Sequence, residues 1–452
     1  MPKQNDFEQH IESWSKIIEE RNTIDPKLYP QHNIKRGLRN ENGTGVLVGI
    51  TRVGSVIGYR KENDVKIPTE GRLYYRGYDL FDLVNGFQEE QRLGFEETIY
   101  LLLFGKCPNA QELAEFNQAL EDRRDLPKQY KEDVIIKIPA PNIMNKLQRA
   151  ILTLYSYDDN PDDVSVTNVL RQSIDLIAKL PLLAAYSYQV KRHAFNHESL
   201  VIHRPIKGVG TAENFLRLIR PDGKYTREEV ETLDLLLVLQ AEHGGGNNSS
   251  FATHVVSSTG TDTYAAISTA LGSLKGPKHG GANKMVAEMF ANIKAKVGLN
   301  YTEEELRAYL RKILSKEAFD QKGLLYGLGH AVYTLSDPRA VILKQKAEQL
   351  ALHKDRIKEY NLYADIERIG CELLNEKVKN DNAMAANVDF YAGFVMDMLN
   401  IPEDLYTPVF AISRIAGWSA HRLEQILDDK IMRPAYITLG DEQTYYPLEE
   451  RK

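Results

Sequence analysis

Cysteine and long apolar runs are the scarce features of this 452-residue sequence. Its two cysteines, Cys107 and Cys371, lie far apart in the chain, which excludes a disulfide framework and a CxxC metal or redox motif. No apolar stretch approaches the ~20 residues that a membrane-spanning helix requires. The first twenty residues, MPKQNDFEQHIESWSKIIEE, resemble neither a secretory signal nor a basic transit peptide. We therefore expect a cytoplasmic protein.

A strong charge of either sign is also missing. The chain has 57 basic and 63 acidic side chains, a formal net charge of -6. This mild balance gives no general attraction to nucleic acid or to an anionic membrane, so we expect neither as a partner, although it leaves room for a local basic pocket. With 42% hydrophobic and 27% charged residues the composition is that of a globular protein, and the length predicts two structural units.

Helical periodicity is what the sequence has in abundance. The segment LNYTEEELRAYLRKILSK contains a capping box, Thr302 with Glu305, followed by apolar residues on one helical face. Asp337 and Pro338 have the residue types of an N-cap and a first helical position. Residues 232–243 are apolar nearly all round, which predicts a buried helix.

Other segments complete the prediction of a mainly α fold. The amino-terminal stretch places Ile11, Trp14, Ile17 and Ile18 on one face of a helix. Residues 262–276 are rich in small side chains, which allow close helix–helix approach. The one good strand candidate is GVLVGITRVGSVIGY at 45–59.

A more highly charged stretch, residues 284–380, predicts a smaller unit inserted into a larger one. Glycine-bearing segments at 276–281 and 379–390 flank it and could act as hinges. The predicted arrangement has three parts: a first large-domain segment at 1–283, a small helical domain at 284–390, and a large-domain return segment at 391–452.

Three histidines lie beside glycines instead of inside apolar runs. They are His279 in LKGPKHGGAN, His243 in AEHGGGNNSSF and His330 in GLGHAVYTLSDPR. Glycine next to an imidazole lets backbone and substrate approach closely. Imidazoles in such turns can donate hydrogen bonds to a carbonyl oxygen as negative charge develops on it.

An aspartate and several arginines could complete one reaction. Asp389 lies between apolar neighbours in ANVDFYAG, where burial would raise the pKa of a general base. Arg339, Arg414 and Arg433 carry the paired donors that recognise carboxylates. Base, oxyanion donors and carboxylate clamps together indicate proton abstraction beside a carbonyl and carbon–carbon bond formation on a keto acid.

Each of these residues also has a structural interpretation. A single histidine is more often structural than catalytic, and Asp389 could cap the helix that follows it. Arg414 could belong to a buried ion pair, Arg433 could be an ordinary surface residue, and Trp418 is expected in the core.

Two further patterns do not support a cofactor. His193 and His197 have the i, i+4 spacing of metal ligands, but RHAFNHE lacks the glutamate of HExxH, and we interpret the pair as solvated. Gly244–Gly246 is not a dinucleotide-binding fingerprint, because no strand precedes it. We expect no metal.

The motif set resembles the citrate synthases. The carrying segments are LKGPKHGGAN, GLGHAVYTLSDPR, NVDFYAG and EHGGGNNSSF, with GRLYYRGYDLFDLV…FEETIYLLLFGKCP and SRIAGWSAHRLEQ…RP flanking them. The likeness extends from about residue 45 to residue 435. It implies a multi-helical fold with a large and an inserted small domain, and a homodimer with shared sites.

The resemblance also implies an activity and its substrates. Citrate synthases are acyltransferases of the tricarboxylic acid cycle that condense acetyl-CoA with oxaloacetate and hydrolyse citryl-CoA to citrate and CoA. Neither a metal nor a redox cofactor is implied, since the coenzyme A thioester is itself a substrate.

The resemblance assigns roles position by position. His279 would polarise the thioester carbonyl, Asp389 would remove a methyl proton, and His330 would protonate the carbonyl of oxaloacetate. Residues implied to bind oxaloacetate are His243, Asn247, Arg339, Arg414 and, from the second subunit, Arg433. Residues implied to bind CoA are Gly327, Leu328, Gly329 and Lys275.

One departure and three alternatives stay open. The family often has lysine or arginine four residues after His330, where this chain has Thr334, so CoA binding would use Lys275, Lys278 or Lys344. A 2-methylcitrate synthase would use propionyl-CoA with the same residues, and one methylene changes binding by only about 1–3 kcal/mol. The remaining alternatives are a non-catalytic helical dimer or CoA-binding regulator that kept the fold, and a histidine metalloprotein.

Overall fold

The computed structural model describes residues 3–40, 43–62, 65–330, 332–377, 384–440 and 442–451. The chain divides into two compact units, Met1–Ile50 and Thr51–Lys452. The boundary at residue 50 was not among the predicted ones. The predicted division into segments 1–283, 284–390 and 391–452 stays a prediction.

The amino-terminal unit contains helix α1 (Lys3–Asn22), helix α2 (Leu28–Gln31) and a 3₁₀ turn at Arg36–Leu38. The predicted amino-terminal helix is therefore confirmed. Its apolar face is exposed, with Ile11, Trp14, Ile17 and Ile18 each at least 44% accessible.

The second unit begins with a small antiparallel sheet of strands β1 (Gly54–Glu62), β2 (Val65–Tyr75) and β3 (Tyr78–Asp79), in the order β1-β2-β3. The predicted strand at 45–59 is right only in its second half, because residues 46–53 form no strand. Strand β2 was missed because Pro68 and Gly71 interrupt its alternation. Pro68 pairs with Tyr59 beside a register shift in β1, which accommodates the irregularity.

The remaining regular secondary structure described in the second unit is helical, which confirms the mainly α prediction. The helices are α3 (Leu80–Glu89), α4 (Phe95–Phe104), α5 (Ala110–Asp122), α6 (Ile143–Leu154), α7 (Val166–Asn196), α8 (Thr211–Ile219), α9 (Arg227–Gln240), α10 (Asn248–Ser257), α11 (Thr263–Lys275), α12 (Ala282–Val297), α13 (Glu303–Leu314), α14 (Pro338–His353), α15 (Ile357–Lys377), α16 (Val388–Met398) and α17 (Tyr406–Asp428). Short helical turns occur at Lys131–Ile136, Tyr155–Tyr157, Glu403–Leu405 and Leu448–Glu450.

Local sequence signals fixed several helix ends as predicted. Thr302 and Glu305 form a complete capping box at α13. The Asp337 side chain accepts from the backbone of Arg339, and Pro338 is the first residue of α14. Helix α9 is buried along nearly its whole length, as its apolar sequence indicated.

Helix α17 is the central element of the core. It packs against α4, α7, α9, α10 and α11, and Trp418 is completely buried at its middle. Because the helix is surrounded, the polar residues that it carries, Arg414 and His421, are buried too. Buried polar residues need hydrogen-bond partners, so the polar side chains of α17 must bond to other residues or to a ligand inside the protein.

No helix within the described ranges is long and apolar enough to cross a bilayer.

Candidate active site

The turn at 327–329 is held against the segment that leads into α16. Gly329 N–H donates to the Ala385 carbonyl at 2.8 Å, and Asn387 N–H donates to the Gly327 carbonyl at 2.9 Å. The Asn387 side chain adds a bond to the Gly329 carbonyl at 3.0 Å. These bonds bring the turn that carries His330 to the start of the helix that carries Asp389.

Glycine is required in this turn. Gly327 and Gly329 have φ values of 84° and 92°, in the left-handed region that other residues rarely adopt. A Cβ at Gly327 would also lie 2.9 Å from Cδ2 of Phe390. The close packing of the turn on α16 therefore depends on the missing side chain.

Asp389 lies in the first turn of α16 and does not cap it. The cap is Asn387, whose Oδ1 accepts from the Asp389 N–H at 3.0 Å. Oδ1 of Asp389 is buried, and no hydrogen-bond partner for it exists among the described residues. Burial raises the pKa of Asp389 to about 7, against the lowering effect of Arg339 and Arg414. A carboxylate in this state is a suitable general base near neutral pH.

His243 follows the buried carboxyl end of α9. Its ring lies 5.1 Å from the His330 ring and 5.6 Å from the Tyr333 ring, centroid to centroid. Burial, and then the positive charge of Arg339, lower the pKa of His243 well below its usual range. Its Nε2 is buried and makes no hydrogen bond in the part of the chain that the structure describes. This neutral imidazole can still bond a ligand.

The backbone fixes the tautomer of His330. Its Nδ1 accepts the N–H groups of Val332 at 3.0 Å and of Tyr333 at 3.1 Å. A ring nitrogen that accepts carries no hydrogen, so the hydrogen of the neutral imidazole is on Nε2. The Tyr333 ring stacks on the imidazole at 4.7 Å and holds its orientation. His330 can therefore donate through Nε2.

His279 is held by a buried serine. Its Nε2 lies 3.0 Å from Oγ of Ser249, which also accepts the indole N–H of Trp418 at 3.0 Å. The single hydroxyl hydrogen of Ser249 has two acceptors in reach, His279 Nε2 and Oδ1 of Asn247 at 2.9 Å. Burial, and then Arg414, lower the pKa of His279 to about 4, so this imidazole is neutral at pH 7.

Arg414 is a buried cation with unused donors. Its Nε donates to the Gln240 carbonyl at 2.6 Å, while neither terminal nitrogen has a partner within the described segments. Burial lowers the pKa of Arg414 to about 10, which leaves it charged at neutral pH. The charge of the buried Glu242 acts on Arg414, but no carboxylate of the described residues makes a salt bridge with it, and the buried ion pair stays an alternative. Two unsatisfied guanidinium nitrogens in the interior fit a bound anion.

Arg339 differs because it has a permanent partner. Asp337 accepts from its Nε at 3.0 Å and from its Nη2 at 2.7 Å, and both side chains are buried. Although burial opposes it, this carboxylate raises the pKa of Arg339. The charge of Arg339 still acts on His243 and Asp389.

The structure does not bring every predicted residue to this cluster. Arg433 is exposed beyond the end of α17, and Lys275 is exposed in the last turn of α11. Leu328 pairs with Ala386 in an isolated bridge and lies in the turn beside His330. The roles of all the predicted binding residues, including Asn247, Gly327 and Gly329, stay predictions.

The basic candidates for CoA phosphates have different surroundings. Lys278 is exposed, and Lys344 donates to Glu367 at 2.6 Å. Thr334 is buried and donates to the Gly58 carbonyl at 3.2 Å, so its hydroxyl is committed inside the protein.

Ser249 and Tyr333 are site residues that pattern reasoning missed. Both lie in the histidine-containing segments named above, Ser249 six residues after His243 and Tyr333 three residues after His330. Serine and tyrosine are common in such segments, and nothing in their spacing indicated a bond to His279 or a ring stacked on His330.

The histidine pair at 193 and 197 is solvated, as interpreted. His193 is exposed and its Nδ1 lies 2.9 Å from the Glu198 carbonyl, and His197 ends α7 in a left-handed conformation. The two imidazoles are therefore surface groups.

Comparison with known proteins identifies the family. A sequence profile described as "Citrate synthase, C-terminal domain" matches residues 43–435. The citrate synthase of Haloferax volcanii is 33% identical over 430 residues, covering 92% of this chain and 99% of that protein. The 2-methylcitrate synthase 1 of Corynebacterium glutamicum is 31% identical, covering 85% of this chain and 94% of that protein.

Solved structures agree with the sequence matches. The citrate synthase of Pyrobaculum aerophilum has a TM-score of 0.73 at 29% identity, covering 90% of this chain and 94% of that one. The citrate synthase of Thermoplasma acidophilum, in a ternary complex with carboxymethyl coenzyme A and oxaloacetate, has a TM-score of 0.75 at 26% identity, covering 92% and 99%.

The chain belongs to the citrate synthase family and is an acyltransferase of the citrate synthase type. Both citrate synthases and 2-methylcitrate synthases occur among relatives at about this level of identity, so the family does not fix the acyl donor.

Proposed function

We propose that this enzyme condenses acetyl-CoA with oxaloacetate and hydrolyses the resulting citryl-CoA to citrate and CoA. The observation that supports it most is Asp389, whose buried carboxylate oxygen has no partner among the described residues and whose pKa is raised to about 7. An unpaired buried carboxylate destabilises the folded protein. A protein that only binds its ligand has no use for such a base, whereas an enzyme that removes a proton does.

The first step is removal of a methyl proton. A thioester methyl is a weak carbon acid, so Asp389 needs help in stabilising the enolate oxygen. His279 is neutral and supplies that hydrogen bond from Nδ1 when the Ser249 hydroxyl donates to its Nε2. Asp389 thus removes the proton and His279 stabilises the resulting negative charge, which makes the methyl carbon a nucleophile.

The second substrate is a keto dicarboxylate. The terminal nitrogens of Arg414 bind one carboxylate, and His243, whose pKa the charges of Arg339 and Arg414 both lower, donates or accepts a further hydrogen bond through Nε2. His330 donates from Nε2 to the ketone oxygen and passes its proton to the alkoxide that forms when the new carbon–carbon bond closes; the imidazole regains a proton from water, and Asp389 releases the methyl proton, when the products leave.

Water attacks the thioester of citryl-CoA only after condensation. Closure of the small domain over the large one would exclude water until that point. The proposal also includes a homodimer, in which Arg433 of the partner subunit completes the site, and a cytoplasmic location. CoA would contact Gly327, Leu328, Gly329 and Lys275. No metal or redox cofactor is needed for these steps.

A thiol-release assay with oxaloacetate and several acyl-CoA donors tests the function. Acetyl-CoA should give the higher kcat/KM. A clear preference for propionyl-CoA would instead establish a 2-methylcitrate synthase, which the relatives of that name keep as the second candidate. If no donor releases CoA, the catalytic proposal fails and the binding-protein alternative stands.

Activity should depend on pH through Asp389. The base works only when deprotonated, and burial raises its pKa to about 7. We therefore expect kcat/KM to rise about tenfold per pH unit below pH 7 and to level off above it. A rate profile from pH 5.5 to 8.5 checks this. A profile that is flat between pH 5.5 and 7 would contradict the assignment.

Ser249 should act as a positioning residue. Ser249→Ala removes the partner of His279 Nε2 and of the Trp418 indole, so we expect kcat to fall by about 10–100-fold with a smaller change in the KM for oxaloacetate. Ser250→Ala is the matched control, since Ser250 is equally buried and its hydroxyl has no partner in the described chain. Equal losses in kcat for both variants would refute the role of Ser249.

A further inference from the structure

Two histidines of different helices face one another behind the proposed active site. His254 of α10 and His421 of α17 have Nε2 and Nδ1, respectively, 3.0 Å apart. Oε2 of Glu424, three residues beyond His421, lies 4.0 Å from the same Nδ1. The three ligand atoms all lie within 4.8 Å of one another.

The outer nitrogen of each ring has a defined proton. Gln425 Nε2 donates to the Lys430 carbonyl at 3.2 Å, which fixes the amide so that its Oε1 accepts from His254 Nδ1 at 2.9 Å. The carboxylate of Glu242 accepts from His421 Nε2 at 2.9 Å. Both outer nitrogens are therefore N–H donors.

It follows that two neutral rings would present bare nitrogens to each other. Lone pairs at 3.0 Å with no hydrogen between them repel, so the contact between His254 and His421 requires a cation. Either a proton is shared by the pair or a metal ion binds both nitrogens.

Glu424 favours the metal. Its Oε1 is fixed by the backbone N–H of Arg52 at 2.7 Å, while its buried Oε2 has no hydrogen bond among the described residues. At 4.0 Å this oxygen is too far from His421 for a hydrogen bond but within the span of two ligands on one ion. A shared proton would leave this oxygen without a partner among the described residues, whereas a metal ion would bind it.

We propose that His254, His421 and Glu424 bind a divalent transition-metal ion of the zinc class. Two imidazole nitrogens and one carboxylate oxygen, with a fourth position for water, are a common donor set for zinc. Glu242 and Gln425 accept from the outer nitrogens, as the hydrogen-bond partners of metal-bound histidines do.

Binding of the ion requires the Glu424 carboxylate to move toward the two imidazoles. The ligand atoms of a tetrahedral zinc ion lie roughly 3.4 Å apart, so the two nitrogens at 3.0 Å must separate slightly and the Glu424 oxygen, 4.0 Å from His421 Nδ1, must move inward, by up to about 1.4 Å for the most widely separated pair. The Glu424 side chain is 23% exposed, and its movement must keep or replace the bond that Oε1 accepts from Arg52 N–H.

The ion would hold the site and take no part in the reaction. It would join α10 to α17 and fix Glu242, the residue before His243. Sequence spacing could not have revealed this cluster, because His254 and His421 are 167 positions apart.

Metal binding by the full-length protein tests the proposal without using its activity. Protein stripped with EDTA is titrated with Co²⁺, whose visible absorption reports the coordination, and then with Zn²⁺. We expect one Co²⁺ per chain, displaced by Zn²⁺. His254→Gln should lower the affinity by more than 100-fold, and Gln425→Leu, which removes the acceptor of His254 Nδ1 and the donor to the Lys430 carbonyl, by about 10–100-fold.

The exposed histidines provide the control. His193→Gln and His197→Gln should leave the stoichiometry and affinity unchanged, and circular dichroism should show that every variant is folded. If the wild type takes up neither Co²⁺ nor Zn²⁺ stoichiometrically, the proposal is overturned and the pair holds a proton. Unchanged affinity in a folded His254→Gln variant would overturn it as well.

Discussion

Asp389→Asn should lower kcat by about 10²–10⁴-fold while leaving oxaloacetate affinity nearly unchanged. The amide keeps the size of the side chain and its place in the first turn of α16 but cannot accept a proton. Steady-state thiol release measures the loss, and calorimetric titration with oxaloacetate measures the binding. A folded variant with near wild-type kcat would show that another group is the base.

The same variant has a second readout in stability. The folded-state pKa of about 7 lies above the ordinary aspartate value of 3.8, so the contribution of Asp389 to stability is fully present below pH 3.8 and is lost as pH rises through 7. Asp389→Asn removes the penalty of a buried charge. We expect it to be more stable than the wild type at pH 8, by up to about 4 kcal/mol, and similar at pH 4. Thermal unfolding at both pH values checks the sign, and a variant less stable at pH 8 would contradict it.

Arg414→Gln should weaken oxaloacetate binding most strongly of the arginine variants. Its two terminal nitrogens are buried and have no partners in the described structure. An anionic ligand would therefore bind donors that are already desolvated. Removing one partner of a buried charge pair costs about 2–5 kcal/mol, roughly 30- to 5,000-fold in affinity. The KM for oxaloacetate and direct titration are the measurements.

Arg422 is the matched control on the same helix. It is equally buried, but it donates to Ser257, Thr263 and the Thr261 carbonyl, so its donors are used inside the protein. Arg422→Gln should lower the melting temperature and leave oxaloacetate affinity unchanged. If Arg422→Gln and Arg414→Gln weakened binding equally, Arg414 would have a structural role only.

Short-range signals predicted the helical elements well. The capping box at Thr302, the N-cap at Asp337 and the apolar run of α9 depend on neighbouring residues, and all three are present as expected. Strand β2 was not predicted, because Pro68 and Gly71 break its alternation of apolar and polar residues. Its pairing with β1 forms the strand in spite of these two residues.

The site could be predicted only in part. The histidine turns, Asp389 and the arginines were found because their residue types suit one reaction and their segments resemble one family. The Ser249 bond to His279, the backbone bonds that set the His330 tautomer, and the unpaired donors of Arg414 were not predictable.

The sequence by itself determined which residues are able to react, since an imidazole, a carboxylate or a guanidinium is a property of the chain. Tertiary structure alone decided their protonation and their partners. The pKa of Asp389 depends on its burial and on the charges of Arg339 and Arg414, and the hydrogen on His421 Nε2 depends on its acceptor Glu242. All of these partners are distant in sequence from the residues that they affect.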